Sequence, residues 1–544
     1  MDAAENSGHP RRWLILGVMV VSLLVVVLDN TVLNVAMKVI ADPKAGLGAT
    51  QSQLEWAINA YTLVFAGLLF SFGILGDRYG RRRALIVGLV VFGAASLASA
   101  YATSPGTLIG ARALMGIGGA AVLPATLSII SNVFDPRERA RAIGVWGGTV
   151  GLAVAIGPIL GGFLLEHFWW GSVFLINVPI VLAGLIAIVL LVPESKNPNP
   201  GKIDIVGVLL SIVGLVALVY GVVHGGDHGD WGSPTVWGPL AAGALILAGF
   251  IAYERRSSHP ALDVRLFRDP RFSAAVGATG LMFFAAMGTF FFSVFYIQNV
   301  RGFSPLSSGL LLLPFAAAQV VFAPQSAKLV SRYGAKLVCT IGLLLVAVSL
   351  GGFTQLYADS PLWLLEVLFF VQGVGMANVT PPATEAIMSV LPREKAGVGS
   401  AIGNTVRQVG GALGVAVLGS VLASVYRDHI TPHLGGLPAA ARDTAAESLP
   451  AADGVAAALG PAGRSLIEPA NQAFLSAMHA AAFGSAIVAV LGAAVVARWL
   501  PGRYVPAHRR VPAQRTAAGG ATGTPDQASP APDRVAETVD AQRE

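Results

Sequence analysis

Charge is what this chain most lacks. Of its 544 residues only 12% are Asp, Glu, Lys or Arg and 54% are hydrophobic. That charged share is about half that of a soluble domain, and the mean hydropathy is +0.67. Cysteine is nearly missing too. The lone Cys339 lies in an apolar run and has no intrachain partner, so nothing in the fold depends on a disulfide. No GxxxxGK[ST] phosphate loop is present, which argues against an ATP-driven pump. The polar groups show neither metal-ligand spacing nor a nucleophile elbow, so no metal is expected and a membrane-embedded enzyme is disfavoured. The net charge of +6 is scattered among short loops, which disfavours a nucleic-acid partner. The segment Arg427–Pro469 is too short and featureless for a sensor domain.

What the chain has is long apolar runs, each near the roughly 20 residues that cross a bilayer as helix. About fourteen candidate spans can be counted. The first six are Trp13–Ala36, Ser52–Leu75, Ala84–Tyr101, Gly106–Val133, Arg141–Leu165 and Gly171–Val192. Two follow at Ile205–Val223 and Thr235–Tyr253. The last six are Phe272–Gln298, Ser307–Val330, Leu337–Thr354, Leu362–Leu391, Gly399–Tyr426 and Gln472–Trp499. The first run begins after Arg11-Arg12 and shows no small-residue cleavage site, so it reads as a retained helix. The 64 glycines fall within apolar runs, where small residues let helices approach closely.

The halves repeat. Gly73-Ile-Leu-Gly-Asp77-Arg78-Tyr-Gly80-Arg81-Arg82-Arg83 is a basic turn between two runs, and a degraded copy, Lys328–Lys336, follows. Pro136-Arg137-Glu138-Arg139 after the fourth span returns as Pro392-Arg393-Glu394-Lys395 after the twelfth. Such a duplicated hydrophobic architecture is how a rocking transporter is built. The basic residues fall mostly on one side of the implied topology, which puts both termini in the cytoplasm and requires an even number of spans. The expected fold is therefore an all-α polytopic membrane protein. It comprises an N-terminal segment (1–12), a six-helix bundle (13–193), a linker with two inserted helices (194–271) and a second six-helix bundle (272–499). The second bundle carries an external loop at 427–470, and a polar, disordered cytoplasmic tail follows at 500–544.

These motifs resemble the major facilitator superfamily, in particular its fourteen-span drug:proton antiporters. Gly73–Arg83 resembles the superfamily's loop signature, and Leu28-Asp29-Asn30-Thr31-Val32-Leu33-Asn34-Val35-Ala36 resembles the first-helix signature of the fourteen-span group. Arg112-Ala-Leu-Met-Gly116-Ile-Gly118 is similar to the fourth-helix motif associated with proton coupling. Gly147-Gly148 through Gly157-Pro158-Ile-Leu-Gly161-Gly162 is similar to the fifth-helix motif that marks antiporters, and Phe174-Leu-Ile-Asn177-Val-Pro179 is typical of the group. Asn30 in the first-helix signature departs from the pattern, as does Ser331 where the second loop copy would carry an acid. The resemblance implies a proton-coupled exporter of lipophilic, cationic drugs, antiseptics or antibiotics in the cell membrane. It would be driven by the proton gradient without a cofactor, and its partners would be the bilayer, protons and small lipophilic substrates. A monomer is expected. An exporter dedicated to one metabolite is the alternative.

Within that frame the intramembrane charges are the site candidates, because such groups normally pair and face a polar cavity. Asp29 lies about 24 Å along the first helix, at a depth shared by Arg112 and Glu55. Asp29 is the leading proton carrier, with Arg112 as its coupling partner and Glu55 as a weaker candidate, expected at the interface in water. Glu385 and Arg407 are expected to pair as an internal gate. Gly73, Asp77, Arg78 and Gly80 are expected to form a conformational lock, and Gly157 with Pro158 a bending point. Asn34, Asn59, Phe284, Met287, Phe291 and Gln319 are the expected cavity-lining residues, the aromatic and Met side chains suiting flat apolar ligands.

Overall fold

The computed structural model describes residues 9–196, 204–228, 230–257, 264–390 and 396–500. The polar tail and the Pro392–Lys395 repeat lie outside these, as do the side chains of Arg137, Arg139 and Arg141. Local signals set many helix ends. Thr50 and Gln53 form a reciprocal capping box that starts α2 (Gln51–Tyr79), and Ser104 does the same with Thr107 for α4 (Pro105–Val133), with Pro105 in the first turn. Gly80, at φ 122°, ends α2 and leads into α3 (Arg81–Ala100). Gly334, at φ 87°, makes the same turn between α12 (Leu313–Tyr333) and α13 (Ala335–Phe353). Only glycine adopts such angles without strain. The degraded copy of the basic turn thus keeps its backbone role after losing its acid.

All regular elements among the described residues are helices. The first half adds α1 (Arg12–Ala41), α5 (Pro136–His167), α6 (Ser172–Leu175) and α7 (Asn177–Leu191). The inserted pair is α8 (Ile205–His228) and α9 (Pro234–Arg256). The second half holds α10 (Pro270–Phe295), α11 (Pro305–Leu310), α14 (Leu362–Ser389) and α15 (Ala396–Ile430) besides α12 and α13. After α16 (Ala439–Glu447) and α17 (Leu449–Leu459) it closes with α18 (Arg464–Trp499). Among the described residues twelve stretches are long and apolar enough to cross a membrane, or thirteen with α2, which bends by 52° near Leu69–Ser71. The tenth expected span is broken into α11 and α12, because Ser304 and Pro305 cap a short first piece and Pro314 opens the second. The expected loop at 427–470 is largely helical: α15 runs on to Ile430, α18 starts at Arg464, and α16 and α17 fill the interval.

Packing reproduces the sequence repeat. In the first half α2 and α3 pack on α4, and α1 packs on α5. In the second half α12 and α13 pack on α14, and α10 packs on α15. Close contacts fall at glycines, as between Gly118 and the Phe92 backbone and between Gly342 and Gly375. The α8–α9 pair does not stand apart. Val219 and Val223 of α8 pack with Leu63 of α2 and with Ala412 and Ala416 of α15, so α8 fills one seam between the halves.

Candidate functional site

Asp29 and Arg112 meet. The guanidinium Nη1 of Arg112 donates to Asp29 Oδ2, and both residues are at most 2% exposed. Arg112 also donates through Nε to the Ala57 carbonyl at 3.1 Å, and its guanidinium carbon sits 4.5 Å from the centre of the Tyr61 ring. The second oxygen of Asp29 accepts from Asn177 Nδ2 at 3.2 Å, and Asn177 donates to Ser96 Oγ at 3.0 Å. The Ser96 hydroxyl in turn donates a hydrogen bond to the Phe174 carbonyl. Helices α1, α2, α3, α4 and α7 thus converge on one buried ion pair. Desolvating two charges is unfavourable and is offset only by good geometry and further hydrogen bonds. Here the extra partners are the Ala57 carbonyl, the Tyr61 face and the Asn177 amide. Protonating Asp29 would remove the attraction while leaving Arg112 two of its partners, so the proton changes how firmly α1 is held to α4.

Glu55 lies elsewhere. It is buried, not in interfacial water, because α15 covers it: a Cβ on Gly419 would collide with its carboxylate, and Gln51 Nε2 bridges Glu55 Oε1 (3.3 Å) and the Gly419 carbonyl (2.9 Å). Other contacts between the halves gather at this same end, away from the basic loops. Gln298 Nε2 donates to the Val35 carbonyl at 3.1 Å and Lys38 donates to the Gln298 carbonyl. Gly162 abuts the backbone at Leu306, and Gly309 abuts the Pro158 carbonyl. The Gly157-Pro158 segment therefore seats α11 as well as α1, whose Thr31 lies against Gly157. Beside this junction Asp453 of α17 accepts from Asn299 Nδ2 at 2.7 Å. Burial raises the Asp453 pKa above the usual carboxylate value, opposed by the Asn299 hydrogen bond and the Lys38 charge. α17 precedes α18 within 427–470, the segment expected from the sequence to lie outside the bilayer.

At the opposite end Asp77 pairs with Arg81 at 2.8 Å. Glu194, just past α7, accepts from the Arg82 amide at 3.2 Å, and Arg81 N–H donates to the Ser195 carbonyl at 3.0 Å. A Cβ on Gly80 would lie 2.6 Å from Glu194 Oε1, so a side chain there would displace the Glu194 carboxylate besides straining φ. Arg78 instead sits over the Tyr79 ring at 5.9 Å. Arg12 joins Glu138 at 2.6 Å. The expected Glu385–Arg407 pair does not form. Glu385 is exposed and lines a shallow pocket with Arg271, Pro382 and Leu500, whereas the half-buried Arg407 donates to Asn404 Oδ1 one turn away on its own helix. Similar depth along two helices did not put the two side chains on facing sides.

The expected cavity residues divide. Phe284, Met287 and Phe291 share a face of α10; Phe291 is buried, and Met287 lies against Gly411 of α15. Asn34 donates to the Asn30 carbonyl at 3.2 Å, and Gln319 is half-buried on α12. Asn59 is fully buried, and neither side-chain polar atom has a hydrogen-bond partner among the described residues.

Residues 19–415 match the Major Facilitator Superfamily. The chain belongs to that superfamily. It is 36% identical over 501 residues to the tetracenomycin C resistance and export protein of Streptomyces glaucescens, covering 89% of this chain and 91% of that one. It is 35% identical over 488 residues to the multidrug efflux pump LfrA of Mycolicibacterium smegmatis, covering 89% and 96%. In structure it is similar to a bacterial homologue of the human lysosomal transporter Spinster in an inward-facing, unoccupied conformation. That likeness has a TM-score of 0.64 at 18% identity and covers 92% of this chain and 99% of the other, so it concerns the fold alone.

Superfamily membership makes the chain a multi-pass membrane transporter. Its first-helix, fourth-helix and Phe174–Pro179 signatures, far apart in sequence, meet at Asp29, Arg112 and Asn177. Sequence reasoning assigned no site role to Asn177, nor to Tyr61 or Lys38. A polar side chain in the first turn of an apolar run is the signal that marks Asn177, and a lysine at the end of a span marks Lys38. Tyr61 carries no such signal.

Proposed function

We propose that this protein is a proton-coupled exporter of lipophilic small molecules, drugs and antibiotics among them, working as an antiporter. The observation that carries the reading is the buried Asp29–Arg112 pair, tied by Asn177 at the meeting of three superfamily signatures. A proton taken up by Asp29 releases Arg112, and the change in hold between α1 and α4 is the event that couples to rocking of the halves. The names of the relatives, a resistance and export protein and a multidrug efflux pump, support the direction and class of transport. In this reading the proton gradient is the only energy source and no cofactor is needed. The chain crosses the cytoplasmic membrane fourteen times as a monomer, with both termini inside. The bundles at 13–193 and 272–499 rock against each other, and the inserted pair at 194–271 lies between them in sequence. Asp77 with its neighbouring basic residues supports a cytoplasmic lock, and Gly157-Pro158 a flexing point.

Everted vesicles energised with a proton gradient should take up a fluorescent lipophilic drug and release protons from their lumen as they do so. A broad drug panel that neither moves nor disturbs the gradient would reject the reading. A dedicated exporter is the second reading, favoured by the relative named for the single antibiotic tetracenomycin C. Transport of one compound class, with the rest of the panel ignored, would select it.

A further inference from the structure

Arg407 is a cation about 16 Å along α15 from its start, and no acid is paired with it among the described residues. Helices α10 to α15 contain only three acids, Glu366, Glu385 and Asp428, and none makes an ion pair with it. Its recorded partner is Asn404 Oδ1, which uses one of the five donors a guanidinium carries.

The surroundings show where the remaining donors point. Thr405 donates to the Ala66 carbonyl, and Ala412 and Ala416 pack with Leu63, so one side of α15 is committed to α2. Gly410 and Gly414 press on the α10 backbone at Gly280 and Phe284, so a second side is committed to α10. At 100° per residue, Asn404, Arg407, Gln408 and Gly411 occupy the arc between those two sides. That arc lies between the side packed on α2 of the first half and the side packed on α10 of the second, and in it Asn404, Arg407 and Gln408 are half-buried rather than sealed. Met287, from the Phe/Met face of α10, borders the same arc against Gly411. An intramembrane cation without a fixed counter-ion is costly unless something meets it during the working cycle.

We propose that Arg407, with Asn404 and Gln408 beside it, is the recognition site for an acidic oxygen, a carboxylate or phenolate, on an otherwise apolar cargo. The guanidinium fork binds such an oxygen pair through two parallel N–H donors. The Phe284 and Met287 side of α10 receives the flat apolar body. This inference rests on the exporter reading and narrows it, since a fixed positive group on the path selects against cationic cargo.

The test uses full-length protein in nanodiscs and three probes of one shape: 2-naphthoate, neutral 2-naphthalenemethanol and 2-naphthylmethylammonium. Binding is followed by tryptophan fluorescence. Naphthoate should bind at least about tenfold more tightly than the ammonium probe, about one factor of ten in Kd being 1.4 kcal/mol. Arg407→Gln should remove that preference and leave the neutral probe unchanged, while Arg407→Lys should keep part of it because charge remains without the planar fork. Should Arg407→Gln not fold, Arg407→Lys and Asn404→Leu supply the same comparison, each expected to weaken naphthoate alone. A preference for the ammonium probe, or equal weakening of all three probes in the variants, overturns the inference. Its failure is separable from failure of the exporter reading: drug-driven proton release from vesicles tests the latter and does not depend on which probe binds better.

Discussion

Replacing Asp29 by Asn is the most searching perturbation of the coupling pair. Removing one member of a buried ion pair costs about 3–5 kcal/mol, because the other charge stays desolvated. The structure decides where each single change falls in that range. In Asp29→Asn, Arg112 keeps the Ala57 carbonyl and the Tyr61 face, so the loss should be near the low end, about 3 kcal/mol. In Arg112→Gln, Asp29 keeps the Asn177 amide as its main donor, so the loss should be near about 5 kcal/mol. The double variant has no stranded charge and should cost less than the sum by at least about 2 kcal/mol, a coupling of the size seen for residues in contact. Unfolding in mild detergent measures all three. In everted vesicles Asp29→Asn should lose gradient-driven uptake yet still carry drug down its own gradient. Full gradient-driven uptake in that variant, or unfolding energies that simply add, would refute the assignment.

Three further outcomes follow from the same geometry. Asn177→Ala should leave the protein folded but slow proton-coupled transport several-fold, with the pH profile of uptake displaced, because one Asp29 oxygen loses its donor; an unmoved profile would mean that Asn177 is only structural. Gly162→Val should push α11 from α5 and favour separation of the halves at that end, read as raised reactivity of a cysteine placed at Leu306. The Asp453 pKa is higher folded than unfolded, so the folded connection holds more protons in the interval between the two values. Its stability should therefore rise as pH falls through that interval, and gain nothing below the ordinary Asp value of about 3.9. Hydrogen exchange over 449–459, corrected for intrinsic rates, should show this in the parent and a flat response in Asp453→Asn.

The architecture was legible because bilayer spans advertise themselves. Runs such as Leu362–Leu391 have no other reading, and the repeated basic turn pairs the halves in the sequence itself. Asp29 and Arg112 were legible for a related reason: a charge in an apolar run needs a partner, and two at similar depth on different helices nominate each other. Depth alone misled for Glu385 and Arg407, and for Glu55, because facing depends on how each helix is rotated about its axis. That rotation is set by packing, for example Gly410 and Gly414 against α10 and Gly419 against Glu55. Nothing along the chain records it. Tyr61 stayed invisible since an aromatic ring under a guanidinium looks like any other apolar residue in sequence.

The placement of α8 makes the flanks of the molecule unequal. A helix anchored on α2 through Ile212 against Gly67, and on α15 through Ser420 to the Val222 carbonyl, cannot follow both halves when they swing. In the exporter reading it would act as a strut down one side and keep that flank walled from the surrounding lipid. The opposite flank has no such helix: there α5 packs directly on α11 and α12, so in the exporter reading an opening to the bilayer on that side would need only those contacts to part.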